Sequence, residues 1–193
     1  MRNDLSIIEN WINPSSHVLD CGCGDGELIK DLITNKHVFA YGIEKEIENV
    51  EICVKNGVQV IQQDLESGLA LFDDKFFDVV ILSQTLQTIH NTQHILQEVV
   101  RVGKKAIITF PNFGYWKHRL RVINGRMPVS KTLPYEWYNT PNVRVLTLDD
   151  FEILSHKAGI KVMDRIVLHE NKKITWGHNW RGSLVLYLVT SIN

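Results

Sequence analysis

The stretch His17-Val18-Leu19-Asp20-Cys21-Gly22-Cys23-Gly24-Asp25-Gly26 constrains this chain more than any other. A short apolar run ends in an acid, glycine then recurs at every second position, and a helical pattern opens at Glu27. Strand, glycine loop and helix in that order let backbone bend sharply and approach a ligand, because glycine accepts positive φ and carries no Cβ. The G-x-G-x-G spacing differs from the G-x-G-x-x-G of nicotinamide and flavin folds. Asp20 stands just before the first glycine, where it would repel an anion seated on the helix N-terminus and would suit a cationic or zwitterionic ligand carrying a ribose. The plainer alternative is a tight strand-to-helix turn that binds nothing.

The rest of the chain continues the alternation. Asp4 to Ile12 places Leu5, Ile8, Trp11 and Ile12 on one helical face, and Asn13-Pro14-Ser15-Ser16 ends it. Val18–Asp20, Val38–Ile43, Val58–Ile61, Phe77–Leu82 and Lys105–Phe110 read as buried strands. Between them, helices are expected at Glu27 to Ile33, burying Leu28, Leu32 and Ile29, and after Glu44, with Ile47, Val50 and Val54 inward. Another is expected at Thr92 to Val102, with Ile95, Leu96, Val99 and Val100 inward. Nearly unbroken apolar strands separated by helices indicate a parallel sheet covered on both faces. The pattern breaks at the end: Thr147-Leu148-Asp149-Asp150 resembles a capping box opening a helix that Gly159 closes. Ile160–His169 and Ser183–Thr190 then read as two strands with no helix between them, hence antiparallel.

Bulk properties exclude several classes. The 193 residues are expected to form one domain, 1–193, with a basic and aromatic insertion at about 113–147. A formal net charge of −1 gives no general reason to expect nucleic acid or membrane as partner. No apolar run reaches the ~20 residues of a bilayer span and the opening does not read as a signal peptide, so a cytoplasmic location is expected. Three cysteines argue against a disulfide framework, and Cys21-x-Cys23 has no second ligand pair to answer it, so no metal site is expected. Both cysteines read as small residues packed in the glycine turn, and Cys53 as a buried helix position.

Three acids, Asp20, Glu44 and Asp64, fall at the C-terminal ends of successive strands, where open α/β sheets bind ligands. Glu44 lies about 20 residues beyond the glycines, where an acid can accept hydrogen bonds from a ribose diol. Asp64 could accept from an exocyclic adenine amine, with the Leu65 N–H beside it. Taken alone, Glu44 is equally a solvated charge at a strand end.

Together, Val18 to Gly26, Glu44 and Gln63-Asp64 resemble the class I S-adenosylmethionine-dependent methyltransferases. The resemblance implies a Rossmann-like α/β fold: a mostly parallel seven-stranded sheet with helices on both faces and an antiparallel last strand. It implies S-adenosyl-L-methionine or S-adenosyl-L-homocysteine as cofactor, held by Asp20, Gly22, Cys23, Gly24, Gly26, Glu44, Lys45, Asp64, Leu65 and Ser83. A more specific likeness covers nearly the whole chain. Ser83-Gln84-Thr85-Leu86-Gln87, Phe110-Pro111-Asn112-Phe113-Gly114, Gly125-Arg126-Met127-Pro128-Val129 and Leu133 to Asn142 resemble the MetW family of methionine-biosynthesis proteins. That family is associated with homoserine O-acyltransferase, which it is thought to activate. The resemblance thus implies an S-adenosylmethionine-binding protein acting with that enzyme. The other reading is an active methyltransferase on a small or anionic acceptor.

Where many small-molecule methyltransferases carry Leu-Glu-His after strand four, this chain has Leu86-Gln87-Thr88, without acid or imidazole. Methyl transfer can run on proximity alone, but an acceptor that must lose a proton gains from a base. His90 and His94 lie nearby and read as surface residues, so the catalytic residues are not identified. Tyr115 to Arg144 holds six Lys/Arg against the single acid Glu136, interleaved with Tyr115, Trp116, Tyr135, Trp137 and Tyr138. Pro128, Pro134 and Pro141 disfavour regular structure across its later part. Following strand five, it should overhang the cofactor pocket, as a lid over an anionic substrate or as an interface in which Trp116, Arg119 and Trp137 meet the partner. A nucleic-acid groove is the weaker reading, and a solvated helix followed by a packed loop is the plainest.

Overall fold

The computed structural model describes residues 3–192. Strands β1 (His17–Cys21), β2 (Phe39–Glu44), β3 (Val60–Gln62), β4 (Phe77–Ser83) and β5 (Gly103–Pro111) are joined by helices α2 (Glu27–Lys36), α3 (Ile47–Lys55) and α4 (Thr92–Val102), with α1 (Asn3–Trp11) in front. After β5 come α5 (Trp116–Ile123), an irregular stretch over 124–147, α6 (Leu148–Lys157), β6 (Ile160–His169), β7 (Lys172–Lys173), α7 (His178–Arg181) and β8 (Leu184–Ser191). The sheet order is β3-β2-β1-β4-β5-β8-β6-β7. Strands β1 to β5 pair in parallel, and β8 runs antiparallel between β5 and β6. This is the expected mostly parallel α/β fold with an antiparallel last strand. Two details differ. The two-residue β7 adds an eighth strand at the edge, and the single turn α7 lies between β6 and β8, where no helix was expected.

Period-two alternation assigns the buried side chains to two cores. Leu19, Val80, Leu82, Ala106, Ile108, Phe110, Val185 and Tyr187 face one side, with Ile95, Leu96 and Val99 of α4 and Phe151 of α6. Val18, Val79, Ile81, Ile107, Leu186 and Leu188 face the other, with Ile8 and Ile12 of the N-terminal region and Ile29 and Leu32 of α2. Successive residues of one strand serve opposite layers, which is why these strands read as continuous apolar runs. On the first side Phe110, Phe151 and Tyr187 stack with centroids 4.5–5.9 Å apart.

Helix α3 departs from its expected face. Ile47 and Val54 are exposed, and Cys53 is its buried residue. The helix covers the end of the sheet, where β3 has only three residues, so there is little apolar surface for a full helical stripe to meet. Cys53 reaches instead toward the glycine loop, its thiol 3.2 Å from the Gly24 carbonyl and 3.9 Å from Cys23 Sγ.

Candidate functional site

Sheet order reverses between β1 and β4, whose C-terminal ends therefore open a crevice. A cavity of about 370 Å³ lies there. One wall is the glycine loop with Asp20, and the opposite wall is the turn after β4 from Ser83 to Thr88. Thr132, Pro134, Tyr135, Pro141 and Asn142 of the irregular stretch also line it, as expected for a segment overhanging this crevice. Backbone bonds fasten that segment: the N–H groups of Val143 and Arg144 donate to the Gln87 carbonyl at 2.9 and 3.0 Å, and the Arg144 guanidinium donates to the His90 carbonyl.

The loop is built as its glycines demand. Gly22, Gly24 and Gly26 have φ of 79°, 56° and 77°, a region L side chains avoid. A Cβ on Gly22 would lie 2.6 Å from Thr85 Oγ1, whereas one on Gly24 would meet nothing within 4 Å. Gly22 is thus required for packing, and Gly24 leaves its outer face open.

Glu44, buried at the end of β2, braces this loop. Its Oε2 accepts from the Gly24 N–H at 2.8 Å, and its Oε1 accepts from the Lys45 and Glu46 N–H groups at 2.8 and 3.0 Å. A carboxylate offers about four acceptor positions, so roughly one is left for an outside donor, not the two of a diol. Glu44→Gln is expected to destabilise the fold by about 2 kcal/mol, since one amide oxygen replaces two carboxylate oxygens and strands backbone donors. Chemical denaturation checks this, and an unchanged midpoint would contradict the bracing role.

Asp20 is buried on the cavity wall, and its Oδ1 has no hydrogen-bond partner among the described residues. Burial, aided by the nearby Glu44 charge, pushes its pKa up to about 7. A buried carboxylate oxygen without a donor is costly, and a cationic or N–H-bearing ligand group would remove that cost. Ser83 lines the same cavity, its hydroxyl 3.2 Å from that of Thr109. Gln84, beside it, is a non-glycine residue held at φ 52°, the kind of backbone strain that gathers at functional sites.

Gly26, Lys45, Asp64 and Leu65, like Glu44, are not among the residues that line this cavity. Lys45 Nζ and Asp64 Oδ2 form an ion pair at 2.8 Å, and Asp64 Oδ1 caps the short 3₁₀ turn Leu65–Ser67 by accepting from Glu66 N–H at 3.0 Å. Those two bonds, the lysine's first, hold the Asp64 carboxyl below its usual range. Of the aromatic and arginine residues, Trp137 is 72% exposed, edge-on to Tyr138. Trp116 is half-buried. Arg119 donates to the Gly114 carbonyl at 2.6 Å and stacks on Trp180 at 5.3 Å. Sequence reasoning missed Trp176 and Trp180, both exposed, and the stacking of Arg181 on Trp176 at 4.1 Å. The signal was available as Trp176 and Trp180 beside Arg181.

Residues 2–189 match a family described as methionine biosynthesis protein MetW. The chain is 37% identical over 175 residues to the bifunctional methionine biosynthesis protein MetXA/MetW of Rhodopirellula baltica, an alignment covering 85% of this chain and 28% of that protein. The chain thus spans under a third of the curated relative's length. Among solved structures it resembles a protein of Thermotoga maritima described as an S-adenosylmethionine-dependent methyltransferase, possible histamine N-methyltransferase. The TM-score is 0.69 at 20% identity, over 99% of this chain and 88% of that one. An S-adenosylmethionine-dependent methyltransferase of Archaeoglobus fulgidus gives a TM-score of 0.71 at 13% identity, over 98% and 92%. At such identities the likeness shows a shared fold, and no more. Among the described residues no helix is long and apolar enough to cross a membrane.

Proposed function

The chain belongs to the MetW family of methionine-biosynthesis proteins, and from that premise we propose that it binds S-adenosylmethionine or S-adenosylhomocysteine and acts with homoserine O-acyltransferase, raising that enzyme's activity. The observation that carries the cofactor reading is the unpartnered, buried Asp20 Oδ1 on the wall of a cavity bordered by the glycine loop. In this reading Asp20 takes the ammonium of the methionine portion. Gly22, Cys23, Gly24 and Gly26 bring backbone against the ligand, with Ser83 opposite. Glu44 accepts from a ribose hydroxyl, and Asp64, the Leu65 N–H and Lys45 border the adenine. When bound, S-adenosylmethionine supplies a methyl group on a sulfonium.

The turn after β4 supports the accessory role. The position that could hold an acid is Gln87, whose side-chain amide donates to the Gln84 carbonyl and whose own carbonyl anchors Val143 and Arg144. Its side-chain amide offers no proton acceptor of carboxylate or imidazole strength. The relative that carries both MetXA and MetW in its name combines the two in one protein, which favours a partnership with the acyltransferase.

The test is a paired assay: acyltransferase turnover with and without this protein, with S-adenosylhomocysteine followed in the same tube. Stimulation without S-adenosylhomocysteine formation is expected. Steady S-adenosylhomocysteine production would favour methyl transfer to a small acceptor instead. Trp137, 72% exposed, supplies the second arm. Trp137→Ala is expected to weaken association by about 2 kcal/mol, roughly 30-fold, as for an aromatic hot spot. Thermal stability should be untouched, because the ring is not in the core. Equal affinity for parent and variant would move the docking surface elsewhere.

A further inference from the structure

A second cavity, of about 620 Å³, adjoins the first. Gln84 and Thr132 line both, so the two share a partition at the strained turn after β4. Its floor is a hydrogen-bonded chain of three side chains from distant parts of the sequence. His169, at the end of β6, has Nδ1 3.1 Å from Ser183 Oγ and Nε2 3.2 Å from the Tyr115 hydroxyl. Tyr115 and Ser183 are buried. A neutral imidazole donates through one nitrogen and accepts through the other. The hydroxyl that accepts from the ring therefore keeps its own proton to donate.

The rim carries both signs of charge. Lys117 of α5 and Lys131 of the irregular stretch supply ammonium groups, and Glu170 supplies a carboxylate. Glu170 and Asn171 have φ of 47° and 64°, two consecutive left-handed residues making the tight β6–β7 turn, so Glu170 is placed by the backbone. Among the described residues, no carboxylate lies within ion-pairing distance of Lys117 or Lys131, and no cation within that distance of Glu170. A dianion would be drawn by the lysines and repelled by Glu170. A ligand carrying one charge of each sign would meet attraction on both sides.

We propose that this cavity is a binding site for a small zwitterion of the α-amino-acid class. Its carboxylate lies toward Lys117 and Lys131, its ammonium toward Glu170, and its side chain over the Tyr115–His169–Ser183 floor. The inference stands on this cavity alone and does not depend on what occupies the glycine-loop cavity.

Calorimetric titrations with L-homoserine and L-methionine test it, in the presence of excess S-adenosylhomocysteine to fill the first cavity and again in its absence. The controls are N-acetyl-L-methionine, which lacks the ammonium, and L-methioninamide, which lacks the carboxylate. Saturable binding of at least one amino acid is expected, with both controls at least tenfold weaker. The Lys117→Ala/Lys131→Ala double variant and Glu170→Gln should each lose at least tenfold in amino-acid affinity at an unchanged melting temperature. No saturable binding of either amino acid overturns the proposal. So does equal binding of the N-acetyl compound, which would make this an anion site, or parental affinity in both variants. Failure of S-adenosylhomocysteine itself to bind would sink the cofactor reading while leaving the amino-acid titrations decisive.

Discussion

A Gly24→Val protein is expected to fold and to lose S-adenosylhomocysteine binding by more than about 100-fold, or ~3 kcal/mol. Two effects coincide at this residue. Its backbone sits at φ 56°, which a β-branched residue adopts only with strain. Its Cβ would enter open space, with nothing among the described residues within 4 Å, on a residue that lines the cavity. Gly57 separates the two. It has φ 74°, its Cβ would also meet nothing within 4 Å, and it closes α3 away from the cavity lining. Gly57→Val carries a comparable backbone cost and should bind the nucleoside as the parent does. If both variants lose binding equally, strain and not obstruction is responsible. If Gly24→Val binds normally, the glycine loop is a turn and nothing more.

The glycine loop was legible in the sequence because its determinants are local: glycine spacing, a preceding apolar run and a following helical period. The inner face of α4 was legible for the same reason, and Ile95, Leu96, Val99 and Val100 are all buried. Helix α3 was not, because its burial depends on how much sheet lies beneath it, and three-residue β3 leaves most of its apolar side in solvent. Glu44 was placed correctly at its strand end, but its bonding was not foreseen. Its nearest donors are backbone N–H groups, one of them twenty residues earlier in the chain, and backbone donors leave no mark on composition. The second cavity was invisible for a related reason. Its floor joins Tyr115, just before α5, to His169 and Ser183, which the antiparallel pairing of β6 and β8 brings together. No spacing rule connects residues that meet through a sheet register.

Asp20 yields the remaining large effect, and its sign follows from the direction of its shift. Burial first, and the Glu44 charge second, raise the folded-state pKa to about 7 from an ordinary 3.8. The ligand-free native state therefore holds a proton that the unfolded chain releases between those values. Wherever the native state binds more protons, stability falls as pH rises. The melting temperature should decline from about pH 4 to pH 7 and level off above, with Asp20's share amounting to ~4 kcal/mol at most. Asp20→Asn, neutral at every pH, should remove that part of the slope. Ligand binding should run the other way. If a cationic group pairs with the ionised Asp20, affinity should rise about tenfold between pH 6 and pH 8, as the ionised fraction grows from roughly a tenth to nine-tenths. The Asn variant should bind weakly and without this pH dependence. Calorimetry at pH 6, 7 and 8 on both proteins reads the two trends together. A parent affinity that is flat with pH, or an Asn variant that binds as tightly as the parent, would remove Asp20 from the ligand's contacts.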